Sequence, residues 1–426
     1  MHIKDFDSYE FSKREIIGVP VYYKNMPWAP CINIRVVFNT GAFNDPIGKE
    51  GLSHFLEHMI FDGSKILPNK KSIEEWKKKY SLNTWNAWTN FYNTCYWLKC
   101  LPEKYTDTLS GMKDMIFNPL LRPEDIEHER KVIMQEAWNS FLNEKHLSYC
   151  KEFLEKVFSG HTHERFETAL GWPDTISKIS QEDIKTWHKE NYGIGNFYIV
   201  LSGAVEEKHI DELKVFLKDL PSVTVSSQKE PSDTFNKPLQ QKIIKTADEI
   251  GEVKEQVEIS LYRIGKNKTY KEGEIRNISQ RFIYDLLNER LRTEKGICYG
   301  VSVNIWNQNT FFQIFLNVKT EEKNIELVEK EVGNIMGEII NKKCENKFDI
   351  IKKLYLEQIK SREILSFEIT DSTLREISRY DGHIITEKEQ LEMAEKVSYE
   401  DVAGFVKWAF DPEYLFTEII LPSRKS

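Results

Sequence analysis

The sequence predicts an α+β fold built from two similar domains. At 426 residues the chain is too long for one compact core. Strand-like and helical segments alternate in both halves, and a polar segment rich in proline and serine separates them. We therefore place one domain at 1–220 and a second at 242–426, joined by a linker at 221–241.

Strand and helix patterns alternate along the first half. Ile32–Phe38 alternates as a half-buried strand does, and Phe197–Gly203 has the composition of a second strand. Helical periodicity marks the segments 50–62, 71–80, 103–117, 123–144 and 180–190, and a last helix ends near Leu220.

The second half repeats this plan. An alternating pattern predicts a strand at 257–261, and helical periodicity predicts a helix from Glu274 to Thr293. A strand at 311–318, a helix at 321–341 and a strand at 415–421 follow. The repeated order is the reason to expect one fold in both domains.

Composition describes a globular protein and excludes several partners. The chain has 59 basic and 67 acidic residues, and its net charge of −8 offers no basic surface for nucleic acid. No run approaches the roughly 18 apolar residues of a membrane helix. The six cysteines lack C-x-x-C spacing, and the N-terminus lacks the apolar core of a secretory signal. We therefore predict a cytoplasmic protein that binds neither nucleic acid nor membrane.

The segment His54-Phe55-Leu56-Glu57-His58 is the most informative motif. Residues three and four apart share one face of a helix, so His54, Glu57 and His58 project together. Two imidazoles one turn apart can hold Zn²⁺, and a carboxylate beside them can take a proton from a zinc-bound water. The order H-x-x-E-H is typical of inverzincins. A surface helix with two solvated histidines is the alternative, disfavoured because the chain has only 10 histidines.

A catalytic zinc needs a third protein ligand. The predicted helix at 123–144 offers Glu129 and Glu136, which are seven residues apart and share a face with Ile133. His128 lies about 100° round the helix from Glu129 and is expected on the surface. Spacing alone does not rank the two glutamates, because most helical glutamates face solvent.

These motifs together resemble the pitrilysin-type inverzincin metallopeptidases, a family that includes insulin-degrading enzyme and the mitochondrial processing peptidase. The resemblance rests on His54 to His58 followed by E-R-x-V-x-x-x-E from Glu129 to Glu136. It implies that Glu136 is the third zinc ligand and that Glu129 orients the site. It also implies a zinc-dependent endopeptidase that cleaves peptides or unfolded segments, with Glu57 as general base.

A further match concerns the substrate. Asn86-Ala87-Trp88-Thr89 resembles the family's N-A-[FYW]-T segment, an edge strand that pairs with the peptide backbone. Main-chain hydrogen bonds carry no side-chain information, which suits a protease that accepts many sequences. Taken alone, the same residues also fit an ordinary strand with aromatic packing.

The segment from Leu286 to Val301 resembles the family's L-R-x-x-x-G-x-x-Y segment, in which an arginine and a tyrosine complete the active site. These map onto Arg292 and Tyr299. The tyrosine hydroxyl can donate to an oxyanion, and the arginine can hold a substrate carbonyl or carboxylate. Without the family, a helix end at Gly296 with Tyr299 in a core strand is the preferred interpretation.

The resemblance covers nearly the whole chain and implies that each domain is a mixed, largely antiparallel sheet packed with helices. Large family members close four such domains around a peptide, whereas this chain has two. We therefore expect two chains to dimerise as a clamshell. One chain carries both motifs, which favours a homodimer, with a heterodimer with a related subunit as the alternative.

Two other functions fit the same residues. One is a non-catalytic or partner-dependent subunit of a heterodimeric peptidase. The other is a different zinc hydrolase with the same ligands, such as an esterase or amidase.

Overall fold

Two sheets organise the computed structural model, which describes residues 11–224, 241–267, 269–361 and 384–423. The described residues fall into two units. Unit 1 holds 11–141, 165–224 and Ile384, and unit 2 holds 142–164, 241–267, 269–361 and 385–423.

The strands of unit 1 are β1 (Ser12–Ile16), β2 (Val19–Asn25), β3 (Ile32–Phe38), β4 (Asn86–Thr89), β5 (Thr94–Cys100) and β6 (Phe197–Gly203). Those of unit 2 are β7 (Gln241–Thr246), β8 (Val257–Lys266), β9 (Cys298–Asn307), β10 (Phe311–Thr320) and β11 (Phe416–Leu421).

The helices are α1 (Leu52–Met59), α2 (Lys70–Tyr80), α3 (Tyr105–Phe117), α4 (Pro123–Asn139), α5 (Glu144–Val157), α6 (Pro173–Ile176), α7 (Gln181–Asn191), α8 (Glu207–Leu217), α9 (Tyr270–Leu287), α10 (Ile325–Ile340), α11 (Glu345–Lys360), α12 (Glu387–Glu395) and α13 (Tyr399–Ala409).

Both sheets are mixed and largely antiparallel. The first runs in the order β1-β2-β6-β3-β5-β4, and only β2 and β6 are parallel. The second runs in the order β7-β11-β8-β10-β9, and only β7 and β11 are parallel. In unit 1, β3 is followed by helices and then by the edge strand β4, and β5 pairs between β3 and β4. In unit 2, β8 is followed by α9 and then by the edge strand β9, and β10 pairs between β8 and β9. The predicted fold class, two similar sheet-and-helix domains, is confirmed.

The core of unit 1 lies between one face of its sheet and the helices. Ile34, Val36 and Phe38 of β3 join this core with α1 and α3. The prediction of a half-buried β3 was wrong, because all seven of its residues are buried. Val37, on the opposite face, packs in a second cluster with Tyr198.

The helix predicted at 123–144 is two helices. α4 ends at Asn139, and Asn143 starts α5 by accepting a hydrogen bond from the His146 amide at 3.0 Å. α5 belongs to unit 2, although it precedes the second half of the sequence. There Phe153 packs edge-on against Tyr262 with ring centroids 5.0 Å apart.

The helix predicted at 274–293 begins earlier and changes character at its end. α9 starts at Tyr270, where Thr269 accepts a hydrogen bond from the Glu272 amide at 3.3 Å. A π-helical turn, Asn288–Glu294, follows α9 and carries Arg292. Such turns are rare and are often found at functional sites.

The predicted linker at 221–241 lies mostly outside the described residues, which stop at 224 and resume at 241. The amide of Val223 still donates to the Ile194 carbonyl at 2.9 Å, and Gln241 already begins β7. The domain boundaries at 220 and 242 therefore remain a proposal. In the described part of the chain, no helix combines the length and apolarity that a membrane crossing requires.

Candidate metal centre

The first turn of α1 is capped from outside the helix. Asp45 accepts hydrogen bonds from the Gly51 amide at 2.8 Å and from the Ser53 amide at 2.9 Å. A carboxylate at a helix N-terminus satisfies free amides and complements the helix dipole. Gly51 has φ +100°, and a Cβ there would lie 2.5 Å from the Leu170 carbonyl oxygen, so only glycine fits. The helix that carries the motif thus begins at a rigidly held residue.

The two faces of α1 separate packing from chemistry. Phe55, Leu56 and Met59 are fully buried in the core of unit 1. His54 and Glu57 are also buried, but His54 and His58 point towards Glu136 of α4, and Glu57 accepts a hydrogen bond from Thr89 of β4. The motif therefore projects from a packed helix, as a preorganised site requires.

α4 brings two glutamates against α1. One side of this helix is buried, and it includes Ile133, Ala137 and Glu129. Arg130 anchors the helix by donating to the carbonyls of Ile176 and Ile179, each at 2.7 Å. Glu129 and Glu136 thereby lie on the side that faces the histidines.

His54, His58 and Glu136 converge on one point. Glu136 Oε2 lies 3.8 Å from His54 Nε2 and 3.4 Å from His58 Nε2. Ligand atoms of all three residues lie within 4.8 Å of one another. Within the ranges that the structure describes, this is the one group of histidine, cysteine or acidic side chains able to hold a metal ion.

The donor set fits zinc. Two imidazole nitrogens and one carboxylate oxygen are the three protein ligands typical of a catalytic zinc site. Glu129 lies 3.1 Å from His58 Nδ1, which leaves His58 Nε2 for a metal. The Nδ1 of His54 is buried and has no hydrogen-bond partner among the described residues. Burial, and then the neighbouring His58, lower the pKa of His54 to about 3, so its imidazole is neutral, as ligation requires.

Glu57 lies beside this group and has an altered acidity. Burial raises its pKa to about 7, although a hydrogen bond from Thr89 Oγ1 to Glu57 Oε2 at 2.5 Å acts in the opposite direction. A carboxylate with a pKa near neutrality is suited to take up and release a proton. The site thus pairs a donor set for a metal with a neighbouring base.

The predicted substrate residues lie at the edge of the first sheet. Asn86, Ala87 and Trp88 form β4, which pairs on one side with β5. No described strand pairs with its other side. Asn86 is exposed, whereas Trp88 packs partly against the second cluster of unit 1. A free edge of this kind can accept an added strand.

Arg292 and Tyr299 belong to unit 2, whereas the metal-centre residues belong to unit 1. Arg292 lies in the π-helical turn, and Tyr299 lies near the start of β9 with half of its surface exposed. The Tyr299 hydroxyl donates to Glu321 Oε1 at 3.1 Å. Tyr299 is therefore not the core-strand residue of the alternative interpretation. The roles assigned to both side chains stay predictions.

Sequence reasoning did not assign roles to Thr89, Asp62 or Lys70. Thr89 holds Glu57, and Lys70 ion-pairs with both Asp62 and Glu129. One signal was available for Lys70, since a lysine at the first position of a helix opposes the helix dipole. No such signal marked Thr89 in the sequence, because its contact with Glu57 joins two separate elements.

Comparisons with known proteins agree with the motifs. A sequence profile described as insulinase (peptidase family M16) matches residues 20–165, and one described as peptidase M16 inactive domain matches residues 178–355. An uncharacterized zinc protease of Rickettsia felis is 30% identical over 193 residues, 45% of this chain and 46% of that one. The chain thus spans about half the length of this relative.

Two matches cover the chain almost completely. An uncharacterized zinc protease of Bacillus subtilis, YmxG, is 21% identical over 95% of this chain and 97% of its own length. The first half of the periplasmic protease PqqL from Escherichia coli superposes with a TM-score of 0.79 and 15% identity. That superposition covers 98% of this chain and 93% of the solved one, and at such identity it supports the fold alone.

Proposed function

Because the chain belongs to the M16 family of peptidases, the insulinase and pitrilysin-like zinc proteases, we propose that it is a zinc-dependent endopeptidase that cleaves peptides or unfolded segments. The observation that carries the proposal is the convergence of His54, His58 and Glu136, with Glu57 beside them.

The metal would be held by His54, His58 and Glu136. Zinc bound there supplies a Lewis acid that polarises the scissile carbonyl and activates a water. Glu57 takes the proton from the attacking water and returns it to the leaving amine. Thr89 keeps the Glu57 carboxylate in place, and Glu129 keeps the His58 ring in place.

The substrate backbone pairs with the free edge of β4. Asn86, Ala87 and Trp88 bind an extended peptide by main-chain hydrogen bonds, in the manner of strand addition. This mode holds the peptide with little selection for its sequence. A substitution of Ala87 by proline should raise the KM for peptides, because proline removes one main-chain donor.

Arg292 and Tyr299 complete the site from a second copy of the chain. The Tyr299 hydroxyl donates to the oxyanion, and Arg292 holds a substrate carbonyl or carboxylate. The proposal of a partner rests on one chain carrying both motifs in different units, the metal ligands in unit 1 and Arg292 with Tyr299 in unit 2. A homodimer is favoured, with a heterodimer with a related subunit as the alternative.

A cytoplasmic location remains part of the proposal. It rests on cysteine usage, since the six cysteines lack C-x-x-C spacing and all are free thiols. The family match does not fix the location, because the related protease PqqL of Escherichia coli is periplasmic. Labelling of Cys31, which unlike the other five cysteines is not buried, with a membrane-impermeant reagent in intact cells distinguishes the two compartments.

The test of the proposal is the substitution Glu57→Gln. It should keep zinc bound and lower kcat by about 10²–10⁴-fold, because the proton acceptor is lost while the metal ligands remain. Glu136→Gln should lose zinc as well as turnover, and Glu127→Gln, an exposed glutamate on α4, is the matched control. Zinc content and cleavage of a quenched peptide are measured on each. Cleavage by Glu57→Gln at the wild-type rate would overturn the mechanism, and a zinc-loaded wild type without turnover would favour the non-catalytic subunit.

A further inference from the structure

A chain of charged side chains leads from the surface to the back of His58. Lys70 Nζ lies 2.7 Å from Asp62 Oδ1 and also ion-pairs with Glu129 Oε1. The other oxygen of Glu129, Oε2, lies 3.1 Å from His58 Nδ1. The side chains of Asp62 and Glu129 are 4% and 6% exposed, against 52% for Lys70. One cation that solvent can reach thus faces two buried carboxylates.

Neither the dipole nor the capping of α2 explains why a lysine occupies position 70. Lys70 is the first residue of α2, where the helix dipole favours acidic side chains and disfavours cations. The first turn contains no acidic residue, and Asn69 already caps it by accepting from the Ser72 amide at 3.0 Å. The two carboxylates do explain the position, because a buried charge without a counterion is strongly unfavourable.

Lys70 fixes the orientation of the Glu129 carboxylate relative to the histidine. With Oε1 held by Lys70, Oε2 is left to accept from His58 Nδ1, and His58 Nε2 then faces Glu136 at 3.4 Å. Groups that orient metal-binding histidines in this way affect metal affinity.

We propose that Lys70 is a positioning residue of the metal centre, which fixes the Glu129 carboxylate and through it the ring of His58, while Asp62 holds Lys70 from the other side. The inference rests on the proposed function only in that His54, His58 and Glu136 bind zinc. It does not require that the protein cleave peptides.

The test measures zinc affinity of the full chain by competition with a chromophoric chelator. Lys70→Met should weaken zinc binding by about tenfold or more, the lower end of the range for groups that support metal ligands. Lys70→Arg keeps the positive charge and should stay within about threefold of wild type. Lys71→Met, which removes the exposed neighbouring lysine, is the matched control and should leave zinc affinity unchanged.

A double-mutant cycle separates positioning from general stabilisation of the fold. Glu129→Gln alone should weaken zinc binding, and adding Lys70→Met to it should weaken binding little further, because both act through one contact. Melting of the zinc-free proteins is followed in parallel. If Lys70→Met fails to fold, Lys70→Gln takes its place, and the same outcomes apply.

Three results would overturn the assignment: a zinc affinity of Lys70→Met equal to that of Lys71→Met, an undiminished loss in the Glu129→Gln background, or a loss that matches the fall in zinc-free stability. A wild-type chain that binds no zinc would overturn this assignment and the proposed function together. A chain that binds zinc with the expected pattern but cleaves no peptide would contradict the proposed function alone.

Discussion

Glu57 is held beside the candidate metal centre by the hydroxyl group of Thr89. Thr89 is the last residue of β4, so the strand proposed to bind substrate ends on the residue that holds the proposed base. Thr94 Oγ1 lies 3.3 Å from Thr89 Oγ1 and donates to the Thr40 carbonyl at 3.0 Å, which ties the pair to β5 and to the segment that follows β3. The proposed substrate strand and the proposed base are therefore connected through one side chain, that of Thr89.

Thr89→Val should lower kcat by about tenfold or more with little change in zinc content. It removes a hydrogen bond to a charged group, worth about 1.5–3 kcal/mol, and 1.4 kcal/mol corresponds to tenfold in rate. The Thr89 hydrogen bond lowers the Glu57 pKa against the effect of burial, so its loss raises that pKa further. Because the base must be unprotonated, the acid limb of the kcat/KM profile should move to higher pH.

Thr89→Ser is the control for this prediction, since it keeps the hydroxyl and should restore both kcat and the position of the acid limb. A valine variant with an unchanged rate and an unchanged pH profile would show that the hydroxyl does not act on the base.

At the scale of elements, sequence patterns predict helices and strands well where one element contains all the evidence. His54, Glu57 and His58 lie on one turn of α1, and spacing alone predicted their common face. The end of α4 at Asn139 was missed because the helical pattern continues to 144, and the break depends on the Asn143 cap. Contacts between distant elements, such as that of Thr89 with Glu57, leave no periodic signal.

The sequence also did not predict that α5 belongs to unit 2, because the contacts of α5 in that unit join residues far apart in the chain. Tyr149 on α5 donates a hydrogen bond to the buried Glu418 of β11, a residue 269 positions away. Lys245 of β7 adds an ion pair with Glu152 at 2.6 Å. No local pattern reports such partners, so the sequence predicted one helix in one domain.

Tyr149→Phe should destabilise unit 2 by about 1–3 kcal/mol, because it leaves the buried Glu418 with one donor fewer. Burial raises the pKa of Glu418, while hydrogen bonds from Tyr149 and Tyr262 act against that rise. The folded state therefore binds a proton more tightly than the unfolded state, and stability falls as pH rises through the folded pKa. Losing Tyr149 raises this pKa further and should enlarge the fall.

Thermal unfolding and hydrogen exchange of α5 between about pH 5 and pH 8 measure this effect. Glu418→Gln should remove the part of the pH dependence that Tyr149→Phe enlarges, and Tyr284→Phe, which changes a partly exposed tyrosine of unit 2, is the control. A Tyr149→Phe protein with the stability and pH dependence of this control would refute the prediction.

At the scale of the whole molecule, the two motifs lie in different units of one chain. The histidines and Glu136 belong to unit 1, and Arg292 and Tyr299 belong to unit 2. The resemblance to larger family members predicted that these groups meet between two chains. That expectation concerns assembly and remains a prediction.

Mixing His54→Ala chains with Tyr299→Phe chains tests it. Each variant alone should have low activity, because every site lacks either a metal ligand or the oxyanion donor. With random exchange half of the dimers are hybrids, and each hybrid has one intact site, so about a quarter of wild-type activity should return. Subunit exchange is verified by mass spectrometry of differently labelled chains. A mixture no more active than its parents, despite exchange, would exclude completion of the site by a partner.

The free edge of β4 has a consequence for which proteins such an enzyme would degrade. An edge strand can pair only with a backbone whose own amides and carbonyls are unpaired. A folded client offers such a backbone only while a segment is locally open. When opening and closing are fast relative to cleavage, the rate of degradation follows the equilibrium population of the open form. Discrimination would then lie in the conformational stability of the client, so that a destabilising mutation in a client far from the cut site accelerates its turnover.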